Sequence, residues 1–301
     1  MNQKVEVLKT GKTFSLNWKG RLVILTVALL GLGFLLYQDT LRELISSVLH
    51  REGSSHGIFV PFISGYFLWL KREKIRQVKI DFSLLSGAVM VVVGLLLLYF
   101  ARSSTEIALP ALSFVLLTSG LVLALFGTQL FKDVAFPLLF LISMIPLPEN
   151  LYSQIGEFMR QSVTTGSVWL TQVLQLPIYR EGYSIQLPNT KIFIAVSCSG
   201  IRYLLSYFVF SLPYAYLCKN SFRGRTLVVL ASFPIALVAG VLRLTSIYLA
   251  VYFIGPFMAE IRPHIVLSWF VFLAVLVVAI TADHHLSGIR AKRIGHGAPV
   301  K

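Results

Sequence analysis

Residues 191–203 read KIFIAVSCSGIRY, and the character of the chain changes at the cysteine in their middle, Cys198. From Tyr183 to Val196, apolar and polar residues alternate on both sides of a Pro-Asn-Thr turn signal, which predicts a β-hairpin. From Ile201 to Leu217 the chain is apolar over a helical length. Cys198 therefore lies where a strand gives way to a helix N-terminus, whose dipole favours the reactive thiolate. The alternative is a small buried cysteine that only fills space.

Composition decides the class of protein. The chain has 301 residues, of which 56% are apolar and only 13% are charged, whereas roughly a quarter of the residues in soluble domains are charged. This predicts a single integral membrane domain over residues 1–301. The net charge of +14 does not indicate nucleic-acid binding, because the basic residues cluster in short loops between apolar runs, where they orient a protein in a bilayer.

The apolar runs predict an all-α polytopic membrane protein with about eight transmembrane helices, since roughly 17–25 residues cross a bilayer. The candidate spans are about 22–37, 57–70, 82–100, 108–126, 131–147, 201–218, 226–253 and 264–282. If the N-terminus is inside, 18 of the 27 basic residues fall in inner segments and seven in outer ones, which predicts that both termini are cytoplasmic. The predicted non-membrane segments are a basic N-terminus, 1–21, an extracytoplasmic segment, 148–200, and a cytoplasmic tail, 283–301.

The outer segment begins with a predicted surface helix. Between Asn150 and Gln175, apolar residues recur at spacings of three and four, as in an amphipathic helix lying along the membrane. The predicted hairpin follows it and leads into Cys198. This segment is either a structural lid or a platform on which a substrate docks.

A nucleophilic cysteine requires an acid or base and a group that stabilises the oxyanion. His264 opens the eighth span on the same side as Cys198, and His56 is a second outer histidine that is an alternative base. Arg243 lies about 26 Å along the seventh span, in the outer leaflet of a core roughly 30 Å thick. An arginine at that depth faces a partner or polar cavity, or else snorkels to the interface. Arg202, one turn after Cys198, has the same two options.

Three stretches resemble the exosortase/archaeosortase family of multi-span membrane cysteine transpeptidases. They are SHGIFVPFISGYFLW at 55–69, FLISMIPLP at 140–148 and AVSCSGIRYLLS at 195–206. Arg243 and His264 fall where that family places its arginine and histidine. The resemblance covers roughly residues 50–280.

Two positions depart from the family pattern. Members often have Asn three residues before the arginine, where this chain has Gly240, and Gly four residues after the histidine, where it has Ser268. Neither departure removes a reactive group, and both indicate a divergent subgroup.

The resemblance implies a reaction and its residues. Such enzymes recognise a C-terminal sorting signal on exported proteins, made of a motif such as Pro-Glu-Pro, a transmembrane helix and a basic tail. Cys198 would form a thioester with the chain at the outer membrane face and pass it to an unknown acceptor. His264 would act as acid and base, and Arg243 would stabilise the oxyanion or hold the His–thiolate arrangement. His56 and Arg202 are expected to contact substrate.

The same resemblance implies where the protein lies and what it binds. It would be a multi-pass protein of the bacterial inner membrane, in hosts that export such proteins alongside exopolysaccharide. Its partners would be those exported proteins and the lipid bilayer, with no nucleic acid. No cofactor is implied, and no metal, because Cys198 and His264 alone are too few ligands.

Two other functions remain compatible with the sequence. A cysteine protease would resolve the same thioester with water, and nothing in the sequence separates it from a transpeptidase. A transporter would instead line an anion path with Arg202 and Arg243 and leave Cys198 without a role.

Overall fold

The computed structural model describes residues 18–51, 53–78, 81–104, 106–188, 190–196, 199–218 and 221–295. Side chains in these ranges are described except at 18–27, 30, 55, 261–264 and 286–295. The predicted segments 1–21 and 283–301 therefore lie partly outside the described residues. So does Cys198.

These residues form nine α-helices and one small sheet. The helices are α1 (Trp18–His50), α2 (Phe59–Leu70), α3 (Arg72–Gln77), α4 (Leu84–Ala101), α5 (Ala108–Phe140), α6 (Glu149–Val173), α7 (Ile201–Cys218), α8 (Phe222–Phe253) and α9 (Ile261–Gly295). The strands are β1 (Tyr179–Glu181), β2 (Ser184–Leu187) and β3 (Thr190–Phe193). Short 3₁₀ helices cover Ser55–Ile58, Leu141–Met144 and Pro256–Ala259.

Several helices have the length and the apolar composition of transmembrane helices. Those long and apolar enough to cross a membrane, among the described residues, are Leu84–Ala101, Ala108–Met144, Phe222–Phe253 and Ile265–His285. A shorter apolar helix covers His56–Leu70, and each of the eight predicted spans coincides with helix over most of its length. Large apolar side chains such as Leu85, Phe222 and Phe270 are at least 70% exposed, as lipid contact allows. The predicted class, an all-α polytopic membrane protein, is confirmed, and the number of crossings stays a prediction.

Helix α5 is broken at Gly127, between the fourth and fifth predicted spans. Gly127 has φ +85°, a left-handed conformation that favours glycine. A Cβ there would stand 1.7 Å from the carbonyl oxygen of Asp81. After the break, α5 runs beside α2, where Ser64 Oγ donates to the carbonyl of Pro137 at 2.8 Å. The break therefore lets one helix supply two predicted spans.

The charge at the start of the fifth predicted span is paired. Asp133 is buried, and its carboxylate lies 2.6 Å from the ammonium of Lys74. The Lys71 ammonium donates to the carbonyl of Asp133 and to the hydroxyl of Tyr216, both at 2.7 Å. These bonds hold α2 and α3 to α5 and α7.

Helix α1 is longer than the sequence predicts. The predicted span ends at residue 37, but the helix continues to His50. Beyond that span, Leu44 is buried in a cluster with Ile107 and Ala111. The extension is therefore held by packing against the start of α5.

The largest buried cluster joins α6, the sheet and helices α7 to α9. Helix α6 lies along α8, with Phe158 beside Phe233 at a ring-centroid distance of 6.2 Å and Val163 against Gly240. The predicted amphipathic helix is present: Val163 on it is buried, whereas Phe158 is more than half exposed. This cluster supports the junction that contains Cys198.

The predicted hairpin is confirmed as the antiparallel pair β2–β3, with Ile185 opposite Ile192. Ile185 and Leu187 are buried while Gln186 between them is exposed, as the alternation predicts. The sequence analysis missed β1, which adds to β2 with Arg180 opposite Ile185. The sheet order is β1-β2-β3.

Candidate active site

The predicted strand-to-helix junction is confirmed: β3 ends at Phe193 and α7 begins at Ile201. On either side of Cys198 the backbone is fixed, because the N–H of Ser199 donates to the carbonyl of Val196 at 3.0 Å. Ser199 is fully buried, and its Oγ accepts from the N–H of Ile201 at 3.3 Å. It thereby satisfies one of the unpaired donors at the start of α7.

Gly200 brings this junction against α8. Its φ of +86° is left-handed, and a Cβ there would stand 3.6 Å from the Cα of Gly240. Gly240 is enclosed from the other side, because a Cβ on it would stand 2.8 Å from Cγ2 of Val163. Gly240 stands where the family often has asparagine. The space that a side chain would take there is filled by Val163 of α6.

Arg243, three residues further along α8, is buried, with 7% of its surface exposed. Its Nε–H donates to Oγ of Ser268 on α9 at 2.7 Å. Its guanidinium carbon lies 5.6 Å from the centroid of the Tyr203 ring on α7, within the range of a cation–π contact. Of the two options for Arg243, the structure supports a buried side chain that faces partners and not one that snorkels to the interface.

Tyr203 completes a link among three helices. Its hydroxyl donates to the backbone carbonyl of Ser268 at 2.7 Å, and its N–H bonds to the carbonyl of Gly200 at 2.9 Å. One turn further, the hydroxyl of Tyr207 donates to the carbonyl of Phe272 at 2.9 Å. The first turn of α7 is thus joined to α9 beside the arginine of α8.

His264 lies on α9, four residues before Ser268. Positions four apart share one face of a helix, so the backbone puts position 264 one turn from the residue that binds Arg243. The side chain of His264, like Cys198, is outside the described atoms. The structure thus brings together Arg243, the helix position of His264 and the residues next to Cys198.

His56 lies in the 3₁₀ helix Ser55–Ile58, which contacts α7. Its 3₁₀ helix packs against the one at Leu141–Met144, where a Cβ on Gly57 would stand 3.3 Å from Cγ of Met144. Two of the stretches that carry the family resemblance therefore contact each other. The role of His56 as an alternative base or substrate contact stays a prediction.

Arg202 is exposed, although its neighbour Tyr203 faces Arg243. Unlike Arg243, Arg202 is therefore not a buried arginine. A role in docking substrate stays a prediction.

Sequence reasoning missed Tyr203 as a site residue and identified Ser268 only as a departure from the family. One signal was available for the tyrosine: Tyr203 and Tyr207 are four residues apart, which puts two hydroxyls on one face of a mostly apolar helix. Nothing in the sequence alone pairs Ser268 with Arg243, because the contact depends on how α8 and α9 are rotated against each other.

Comparison with known proteins supplies the family. The model of the transmembrane exosortases matches residues 48–281, a region that contains both cysteines and every predicted site residue. Searches of the curated proteins and of the solved structures found no match. Because the match covers more than half of the chain, this protein belongs to the transmembrane exosortase family, whose members are generally membrane cysteine peptidases or transpeptidases.

Proposed function

We propose that this protein is a cysteine transpeptidase or endopeptidase that cleaves a C-terminal sorting signal of exported proteins at the outer membrane face. The observation that carries the proposal is the burial of Arg243 between Tyr203 and Ser268, next to the junction that contains Cys198. A buried arginine is expensive in a membrane segment and is typical of a functional site. An arginine only 7% exposed does not favour the alternative of an anion path.

The reaction would proceed through two steps. The Cys198 thiolate attacks the carbon of the scissile carbonyl. The π electrons of the C=O bond move to the oxygen, which becomes the oxyanion of a tetrahedral intermediate. The oxyanion collapses, the C–N bond breaks, and the leaving amine takes a proton from His264, which leaves a thioester on Cys198. An amine, hydroxyl or water then gives its proton to His264, attacks the thioester and releases the thiolate.

Arg243 would stabilise the oxyanion in both steps. Fixed donors aimed at developing negative charge lower the barrier more than mobile donors do, because they need no reorganisation during the reaction. The Nε–H bond to Ser268 and the Tyr203 ring restrict the guanidinium in the required way. The charge also favours the thiolate over the thiol in Cys198.

The family supports a proposal for the substrate, and the charge distribution supports one for the location. The substrate would carry a motif such as Pro-Glu-Pro, a transmembrane helix and a basic tail. The protein would lie in the bacterial inner membrane with both termini cytoplasmic, because basic residues are concentrated in the predicted inner segments.

Co-expression with a tagged substrate tests the reaction. An exported protein with such a signal is produced with wild type, Cys198→Ala and Cys218→Ala, and its size is followed on a gel. Cys218 is an exposed free thiol at the other end of α7, so Cys218→Ala is a matched control. Shortening by wild type and Cys218→Ala, but not by Cys198→Ala, is expected. Equal shortening by Cys198→Ala would show that Cys198 is not the nucleophile.

The mass of the new C-terminus separates the two reactions. A free carboxylate means that water resolved the thioester, which is hydrolysis. An additional group on that carboxyl means transfer to an acceptor, and its mass identifies the acceptor's chemical class.

A further inference from the structure

We propose that Ser268 and Tyr203 are positioning residues that hold the Arg243 guanidinium in a fixed relation to the α9 segment carrying His264. The inference rests on the proposed function and adds two residues to it. Neither residue is assigned a chemical step.

The first observation is that Ser268 binds Arg243 through Nε. This nitrogen is the guanidinium atom nearest the main chain, so a 2.7 Å bond to it restricts rotation of the guanidinium plane. A mobile arginine would have to be ordered in each catalytic cycle, whereas a fixed one is already oriented. The hydroxyl of Ser268 therefore sets where the positive charge lies.

The second observation is the location of Ser268. It follows His264 by four residues on α9, which corresponds to about 6 Å along a helix. The bond therefore fixes Arg243 on α8 relative to the helical turn that begins at position 264. The predicted oxyanion stabiliser, Arg243, is thereby held at a fixed position relative to the helical turn that carries the predicted acid/base, His264.

The third observation is that Tyr203 holds both partners. Its hydroxyl bonds to the carbonyl of Ser268, and its ring faces the guanidinium of Arg243 at 5.6 Å. Tyr203 is also bonded through its N–H to Gly200, in the segment that follows Cys198. Through this one residue the segment that follows Cys198, the arginine and α9 are linked.

The chain supplies a matched control for Tyr203. Tyr207→Phe and Tyr203→Phe each remove one hydroxyl that donates to a carbonyl of α9, at 2.9 and 2.7 Å. Only Tyr203 lies next to Arg243. A merely structural role predicts equal effects, whereas a positioning role predicts that Tyr203→Phe alone lowers kcat, by about fivefold or more, with KM changed less than about twofold.

Ser268 is tested by removal and rescue. We expect Ser268→Ala to lower kcat by about tenfold to a hundredfold, as for a displaced catalytic group, and Ser268→Thr to restore most of it because the hydroxyl returns. Ser246→Ala is the control, since the hydroxyl of Ser246 bonds only within its own helix, to the carbonyl of Leu242. Equal rates for Ser268→Ala and wild type, or no recovery in Ser268→Thr, would overturn the proposal.

A spectroscopic measurement separates this inference from the proposed function. In protein labelled with ¹⁵N-arginine, the Nε–H signal of Arg243 is assigned by its loss in Arg243→Lys. We expect Ser268→Ala, but not Ser246→Ala, to shift this signal and speed its exchange with water. An unchanged signal would overturn the inference. If the signal responds but the wild-type protein processes no substrate, the contact stands and the proposed reaction fails.

Discussion

Gly200 and Gly240 approach each other so closely that a Cβ on Gly200 would stand 3.6 Å from the Cα of Gly240. The first residue follows Cys198 by two positions and the second precedes Arg243 by three. Gly200 is favoured by its left-handed φ of +86° rather than by lack of space, whereas a Cβ on Gly240 would meet Cγ2 of Val163 at 2.8 Å. The contact between the start of α7 and α8 therefore involves two residues without reactive groups.

The first prediction concerns Gly240→Ala. The new methyl would stand 2.8 Å from Cγ2 of Val163, so the Val163 side chain or α6 itself must shift, and overpacking of this kind lowers the free energy of unfolding by about 1–3 kcal/mol. Thermal unfolding of the purified protein in detergent is expected to move to lower temperature. Gly65→Ala is the control, since a Cβ there meets nothing within 4 Å. A Gly240→Ala midpoint equal to that of Gly65→Ala would contradict the packing described here.

The second prediction separates the two arginines near the junction. Arg243→Gln removes a buried charge bonded to Ser268, and loss of one oxyanion-stabilising group lowers kcat by about 10²–10³-fold. Arg202 is exposed, so Arg202→Gln is expected to raise KM with kcat nearly unchanged if it docks substrate. Rates of processing across a range of substrate concentrations distinguish these outcomes. A large fall in kcat with Arg202→Gln but not with Arg243→Gln would mean that Arg202, and not Arg243, stabilises the oxyanion.

The third prediction concerns the break in α5. A Cβ at Gly127 would stand 1.7 Å from the carbonyl oxygen of Asp81 and would sit at φ +85°, so Gly127→Ala combines a clash with backbone strain. We expect a marked fall in the yield of folded protein from membranes. Gly33→Ala, in α1, has open space around its Cβ and is expected to express normally. Normal yield and thermal stability of Gly127→Ala would mean that the break is not required.

Sequence patterns predicted the local structure well because that structure depends on short-range periodicity. The alternation around residues 188–190 predicts β2 and β3, and the apolar run after Gly200 predicts α7. Strand β1 was missed because Tyr179–Glu181 is only three residues long and carries two charges. It is stabilised by pairing with β2, which no local pattern reports.

Contacts between distant helices were not predictable in the same way. Depth along the spans placed Arg243 level with the junction, but its bond to Ser268 requires a particular rotation of α8 and α9. A shift of one residue turns a helical side chain by about 100°, which would take Arg243 away from α9. The contact therefore follows from the packing of whole helices, including the close approach at Gly240.

A clamp between α6 and the sheet carries the fourth prediction. The Arg160 guanidinium lies 3.6 Å from the centroid of the Tyr183 ring and forms an ion pair with Glu157. Tyr183 also donates a hydrogen bond to Glu157, which raises the pKa of the tyrosine, with burial adding to the effect. The hydroxyl therefore stays protonated at neutral pH, and the hairpin that leads to Cys198 is held on α6.

Arg160→Lys is expected to weaken this clamp while keeping the charge, because lysine lacks the planar group that stacks on the ring. The hairpin should then open more often, and protease cleavage near residues 188–190 should become several-fold faster. Arg42→Lys is the control, since Arg42 is exposed and pairs with Asp39 on its own helix, α1. Limited proteolysis followed by mass spectrometry measures both variants. Equal cleavage of Arg160→Lys and wild type would show that the sheet is held without the clamp, by its buried residues Ile185 and Leu187.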